Sequence, residues 1–164
     1  MIKRSFSFAD TARKFITGQT QMFLETSAPL HRYEKDPVLS KREFEIALRD
    51  ALKFLDRSEA LRQNPLVHSR IVTEKTRGAD ATPKERSLVL QNLICETAIG
   101  LQGHPKRERA YRALRRTYLN PAPTQEKAAE LLDLPFSTYR RHLAEGIALL
   151  AETLWLQETD ELLE

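Results

Sequence analysis

The segment Thr124–Leu143, TQEKAAELLDLPFSTYRRHL, most constrains the fold because it predicts two helices joined by a tight turn. The first helix carries the small Ala129, which allows a second helix to cross closely. In the second helix, Tyr139 and Leu143 lie one turn apart on a face that we expect to pack inward. The segment therefore predicts a helix-turn-helix. Leu132 and Leu134 are also expected to face inward, and the first helix carries the further apolar residues Ala128 and Leu131.

The second helix of this motif also has a predicted outward face at its N-terminal end. In a helix-turn-helix that end meets base edges and phosphates. Arginine can grip a phosphate or pair with guanine through two hydrogen bonds, and the sequence leaves open which arginine does which. We predict that His142 packs inward rather than reading a base. The candidate DNA-contacting residues of this helix are Phe136, Ser137, Thr138, Arg140 and Arg141.

Basic charge is concentrated on and just before this motif. Residues 104–143 hold nine Lys or Arg and four acidic residues, whereas residues 144–164 hold six acidic residues and neither Lys nor Arg. A basic helix is predicted over PKRERAYRALRRTYL, and Arg109, Arg112 and Arg116 share one side of it. A run of this kind can be a solvated surface, but its position favours contacts to the phosphate backbone.

Helix signals elsewhere predict an all-α protein. Ser40 with Glu43, and Thr82 with Glu85, fit the capping-box pattern at helix starts. Thr124 is the predicted N-cap of the first motif helix and joins the candidate DNA-binding residues. The helix that follows Thr82 has apolar residues around most of its circumference, so we expect it to be central and buried.

Two parts are expected along the chain. Residues 1–80 form a helical module of unassigned role, and it begins with an amphipathic helix over about residues 7–25. Residues 82–164 form a helical domain that contains the helix-turn-helix region, 104–157, with a long last helix. The polar segment 73–81 is the expected linker, although the helix after it could pack on both parts and make one body.

Several function classes are not predicted. The single cysteine, Cys95, lies among apolar residues as a small hydrophobe, permits no internal disulfide and fits a reducing cytoplasm. No catalytic motif, zinc-ligand spacing, secretory signal or membrane-spanning apolar run is found, so we expect no enzyme, cofactor, metal or membrane. The acidic end around Glu158 and Asp160 is expected to be an exposed helix end.

The residues from Pro105 to Trp155 resemble region four of bacterial sigma factors, especially the extracytoplasmic-function type. PKRERAYRALRRTYL matches the basic opening helix, TQEKAAELLDLP the first motif helix, and FSTYRRHL the start of the recognition helix. Asp133 stands where the family usually has glycine, and aspartate tolerates the left-handed backbone of such a turn. Residues 1–103 show no counterpart of the sigma region that binds core polymerase, so the resemblance implies a DNA-binding domain rather than a complete sigma factor.

Two functions from different classes follow. The first is a cytoplasmic, nucleoid-associated regulator of transcription that binds double-stranded DNA without a cofactor. The second is a non-enzymatic adaptor, in which the N-terminal helices bind a partner protein and the three C-terminal helices serve as a scaffold. Salt-dependent binding to duplex DNA separates the two, because neutralised phosphates release counterions.

Overall fold

The computed structural model describes residues 39–76, 81–105 and 107–159, and within these ranges the chain is helical without a strand. This confirms the predicted all-α class. The helix predicted over residues 7–25 lies outside the described residues. The α-helices of the described ranges are α1 (Lys41–Lys53), α2 (Ser58–Leu61), α3 (Arg70–Lys75), α4 (Pro83–Ile99), α5 (Glu108–Leu114), α6 (Gln125–Leu131) and α7 (Phe136–Glu158). A 3₁₀ turn at Pro65–His68 precedes α3, and a π-helical turn at Arg115–Leu119 follows α5.

Both predicted capping boxes are present. The Ser40 hydroxyl accepts from the Glu43 amide at the start of α1, and the Glu43 carboxylate accepts from the Ser40 amide at 2.9 Å. Hydrogen bonds from the Ser40 hydroxyl and then from its amide lower the pKa of Glu43. At α4 the amide and then the hydroxyl of Thr82 lower the pKa of Glu85 in the same way. These reciprocal bonds satisfy backbone donors that a helix start would otherwise leave free.

One core joins the helices on both sides of the predicted boundary near residue 81. The described helices before and after this boundary belong to one compact unit. Helices α1 and α3 pack against α7, and α2 and α3 pack against α4. Helix α3 also extends to Lys75, so the segment predicted as a linker is helical in its first residues. Residues 77–80 lie outside the described ranges.

Helix α4 is less enclosed than its composition predicts. Leu90, Leu93, Ile94 and Ala98 are buried, but Leu88 is 40% exposed and Ile99 is 51% exposed. The prediction of a helix buried all round is therefore wrong for one side of α4. The reason is that α2, α3, α5 and α7 pack against this helix without covering the side that carries those two residues.

The C-terminal end of α7 is joined to the N-terminal end of α3 by hydrogen bonds of a buried carboxylate and a buried guanidinium. The Glu158 side chain is 1% exposed and accepts from the amides of Arg70 and Ile71 at 2.9 and 3.0 Å. In return the Arg70 guanidinium donates to the carbonyls of Gln157 and Glu158. A negative group thus meets the positive N-terminus of α3, and a positive group meets the negative C-terminus of α7. The expectation that Glu158 belongs to an exposed helix end is wrong, because its carboxylate caps another helix.

Gly146 is the point where α5 crosses α7 most closely. A Cβ atom built on Gly146 would lie 2.8 Å from Cγ of Leu114 and 2.9 Å from the carbonyl oxygen of Ala110. Ala110, Ala113 and Leu114 are fully buried on the facing side of α5. Because one of the close atoms belongs to the backbone, a side chain at this position would push the two helices apart.

We expect the substitution Gly146→Ala to lower the free energy of unfolding by about 1 kcal/mol. Overpacking costs about 1–3 kcal/mol, and the better helix propensity of alanine offsets about 1 kcal/mol of this. Urea denaturation followed by circular dichroism measures the change. Unchanged or increased stability would show that α5 can move away from α7 without cost.

Candidate nucleic-acid interface

Helices α6 and α7 are joined by a tight turn whose hydrogen bonds explain its shape. Asp133 has φ of 53°, as expected for a residue that replaces glycine in a left-handed position. Its amide donates to the Glu130 carbonyl, and the Leu134 amide donates to the Ala129 carbonyl, both at 3.0 Å. This is the Schellman pattern of helix ends, in which a left-handed residue lets two amides reach back to the last turn. At the other end of α6, the Thr124 hydroxyl accepts from the Lys127 amide at 3.1 Å, which confirms the predicted N-cap.

The inner side of this helical pair is close to the predicted one. Ala128, Ala129, Tyr139 and Leu143 are buried, and Leu132 and Leu134 are partly buried. Leu131, at the last position of α6, is 50% exposed. Since α6 ends at this residue and the chain then turns, no helix of the described ranges covers its side chain fully.

The predicted outward residues of α7 lie in its first two turns. Ser137, Arg140 and Arg141 are exposed, Phe136 is 39% exposed and Thr138 is partly buried. The first turn of α7 has neither a side-chain cap nor an acidic residue. The structure therefore presents a helix N-terminus with two arginines and an exposed aromatic ring.

The basic helix α5 places its arginines beside the α6–α7 turn. Arg109 and Arg112 line a small cavity together with Leu132 and Leu134. Arg116 lines a second cleft that also includes Thr124 and Tyr139. It lies within the π-helical turn that begins at Arg115, where the spacing is wider than the α-helical period. The helix also starts at Glu108 rather than at Pro105, after a turn closed on the carbonyl of His104.

The arginines of this surface lack acidic partners within the described residues. None of Arg109, Arg112, Arg115, Arg116, Arg140 and Arg141 forms an ion pair there, and all are exposed except the partly buried Arg116. In contrast, Arg62, Arg70 and Lys41 in the first three helices pair with Glu59, Glu74 and Glu152. These arginines therefore form a basic surface near the α6–α7 turn, which makes this surface a candidate for binding phosphates.

The π-helical turn makes a contact with α7 that was not predicted from the sequence. The Thr117 hydroxyl donates to the Ala113 carbonyl at 2.7 Å, so it accepts from the Tyr139 hydroxyl at 2.5 Å. This bond fixes α7 to the segment that carries Arg116. Burial, with a smaller effect of Tyr139, raises the pKa of the neighbouring Tyr118. No spacing or composition signal marks a π turn, so sequence reasoning had no means to find this contact.

His142 and Cys95 are packed residues. His142 is buried on α7, both of its ring nitrogens lack a hydrogen-bond partner among the described residues, and Nδ1 lies 3.6 Å from Oε2 of Glu145. This agrees with the inward orientation predicted for the ring. Burial raises the pKa of the partly buried Cys95 thiol, with a smaller effect of Glu96. Raised thiol pKa values favour the unreactive protonated form.

Comparison with known proteins adds no assignment: no protein-family model, curated protein or solved structure matches the chain. Within the described ranges, no three histidine, cysteine or acidic side chains are grouped as a metal ion would require. None of the helices described there combines the length and apolar character needed to cross a bilayer.

Proposed function

We propose that the chain binds double-stranded DNA through the N-terminal end of α7 and the basic surface of α5. The observation that carries the proposal is the set of arginines without ion-pair partners in the described chain, gathered around one tight helical turn. Arg140 and Arg141 enter the major groove, while Arg109, Arg112 and Arg116 contact phosphates. Phosphate contacts supply most of the affinity, and contacts with base edges supply the sequence preference.

Control of transcription is the role that this binding mode supports best. The resemblance of residues 105–155 to sigma region four favours a regulator that works at a promoter, with a nucleoid-associated location in the cytoplasm. The α6–α7 pair supports this proposal through its left-handed turn residue, its Schellman end and its buried Ala129, since a DNA-binding helix-turn-helix needs a fixed angle between its helices. No cofactor takes part.

A protein adaptor is the second candidate, and the open side of α4 favours it. Leu88 and Ile99 are exposed apolar residues on the same helix. Apolar side chains of this kind are common in protein contacts, although single exposed residues are normal on any surface. In an adaptor the arginines of α5 and α7 would be a solvated surface, and their removal would leave partner binding unchanged.

We expect the double variant R109A/R112A to weaken binding to all duplex sequences alike. Both side chains lie beside the α6–α7 turn, and each neutralises a phosphate in the proposed complex. The slope of log affinity against log salt should flatten by about one unit for each phosphate that the variant no longer neutralises. Fluorescence anisotropy with a generic duplex, measured from low to physiological salt, gives this slope.

The matched control removes the same charge elsewhere. Arg57 and Lys75 are exposed, and they lie beside α2 and α3 at a distance along the chain from the basic surface. The variant R57A/K75A should bind with the wild-type salt slope. An equal loss of DNA affinity in both variants would mean that net charge alone attracts DNA. A changed sequence preference in R109A/R112A would contradict a purely phosphate-binding role for α5.

A further inference from the structure

An exposed aromatic ring and an arginine stand together at the start of α7. Phe136 is the first residue of the helix, and the guanidinium carbon of Arg140 lies 6.0 Å from the centre of its ring, one helical turn further on. The ring also stacks on buried Tyr139, with centroids 6.3 Å apart and planes at 18°. Phe136 therefore lies next to a buried core residue and an exposed arginine.

This arrangement orders a side chain that would otherwise be mobile. A guanidinium above an aromatic ring gains a cation–π attraction, and its planar donors then point in a restricted set of directions. Arg141, the next residue, is also exposed, and no aromatic ring of the described chain lies beneath its guanidinium. The two arginines thus differ in preorganisation, a difference that the sequence alone did not resolve.

The chemistry of the major groove suggests what such a pair recognises. The 5-methyl group of thymine is the apolar group that a Phe ring can contact there, and guanine offers N7 and O6 to one guanidinium. Successive base pairs are about 3.4 Å apart along the duplex axis. Two groups separated by 6.0 Å can therefore reach neighbouring base pairs rather than opposite ends of a binding site.

Resting on the proposed function, we infer that Phe136 and Arg140 act as one reading unit for a 5-methylpyrimidine next to a guanine. In unmodified DNA the ligand is a thymine adjacent to a guanine. The thymine methyl packs on the exposed part of the Phe136 ring, and the Arg140 guanidinium donates to N7 and O6 of the guanine. Arg141 lies outside this unit.

The test begins with selection of preferred duplexes from random DNA by the full-length chain. Each thymine of the selected duplex is then replaced in turn by deoxyuridine, which removes the methyl group and keeps base pairing. At one thymine beside a guanine, affinity should fall about fourfold, because burial of one such group is worth about 0.8 kcal/mol. Replacement of that guanine by 7-deazaguanine, which lacks N7, should lower affinity by about fivefold or more.

Protein variants then show which side chain is responsible for the sensitivity to the methyl group and which for the sensitivity to N7. F136A should bind the thymine and deoxyuridine duplexes equally, and R140A should bind the guanine and 7-deazaguanine duplexes equally. R141A, the control at the neighbouring position, should keep both sensitivities. Because the base substitutions are first measured with the wild-type chain, the test does not depend on the folding of any variant.

The outcomes separate this inference from the proposed function. If no thymine replacement changes wild-type affinity, or if F136A keeps the sensitivity to the methyl group, the reading unit is disproved while DNA binding stands. Binding to generic duplexes without any selected preference also disproves only the reading unit. No binding to any duplex at low salt disproves both.

Discussion

Replacement of Glu158 by alanine is expected to lower the free energy of unfolding by about 2–6 kcal/mol, because two backbone amides lose a buried acceptor at a cost of about 1–3 kcal/mol each. The variant leaves the amides of Arg70 and Ile71 without the acceptor that now lies 2.9 and 3.0 Å away. Urea denaturation followed by circular dichroism measures the loss.

Two further variants show whether the effect arises from the cap itself. E158Q keeps an acceptor for the α3 amides but removes the charge. Its free energy of unfolding should therefore fall by less, about 1–3 kcal/mol. E152A is the matched control, because Glu152 lies on the same helix and pairs with Lys41 in an exposed ion pair at 2.8 Å. Its loss should stay below about 1 kcal/mol. A loss in E158A as small as that of E152A would refute the account of the two joined helix ends.

The sequence predicted local structure well wherever a signal is confined to a few neighbouring residues. Ser40 with Glu43, Thr82 with Glu85, and Thr124 all mark helix starts, since capping depends on residues within one turn. Glu158 shows the opposite case. Its partners Arg70 and Ile71 are more than eighty positions away in the chain, so the sequence indicates only an acidic helix end.

The candidate interface was predictable in composition but not in arrangement. The period of α7 correctly placed Arg140 and Arg141 outside and Tyr139 inside. The same reasoning put Arg116 in one row with Arg109 and Arg112, but it did not predict that Arg116 lies in a π-helical turn and lines a cleft with Thr124. A π turn depends on tertiary contacts, such as the bond between Thr117 and Tyr139, that no short pattern encodes.

The second large effect is expected from the double variant R140A/R141A. Both side chains are exposed, and the core of α7 is formed instead by residues such as Tyr139 and Leu143. Alanine is the best helix former, so the fold and its stability should be retained. Affinity for the preferred duplex should fall by about 1–3 kcal/mol for each arginine that reads a base, and the sequence preference should relax at one base pair or more.

The control for this variant is an equal loss of charge away from the interface. R57A/K75A removes two positive charges near α2 and α3 and should bind the preferred duplex within about twofold of wild type, because long-range effects of exposed charges are screened by salt. Thermal melting of all three proteins establishes that each is folded at the temperature of the binding assay.

The most direct measurement of the central claim is the affinity of R140A/R141A for the selected duplex, compared with the wild-type chain at one fixed salt concentration. We predict an unchanged melting temperature with an affinity lower by about tenfold or more, because the variant can no longer donate hydrogen bonds to base edges. A variant that melts like the wild type and binds the same duplex equally well would show that the N-terminal end of α7 is not a recognition helix, and the adaptor function would then be favoured.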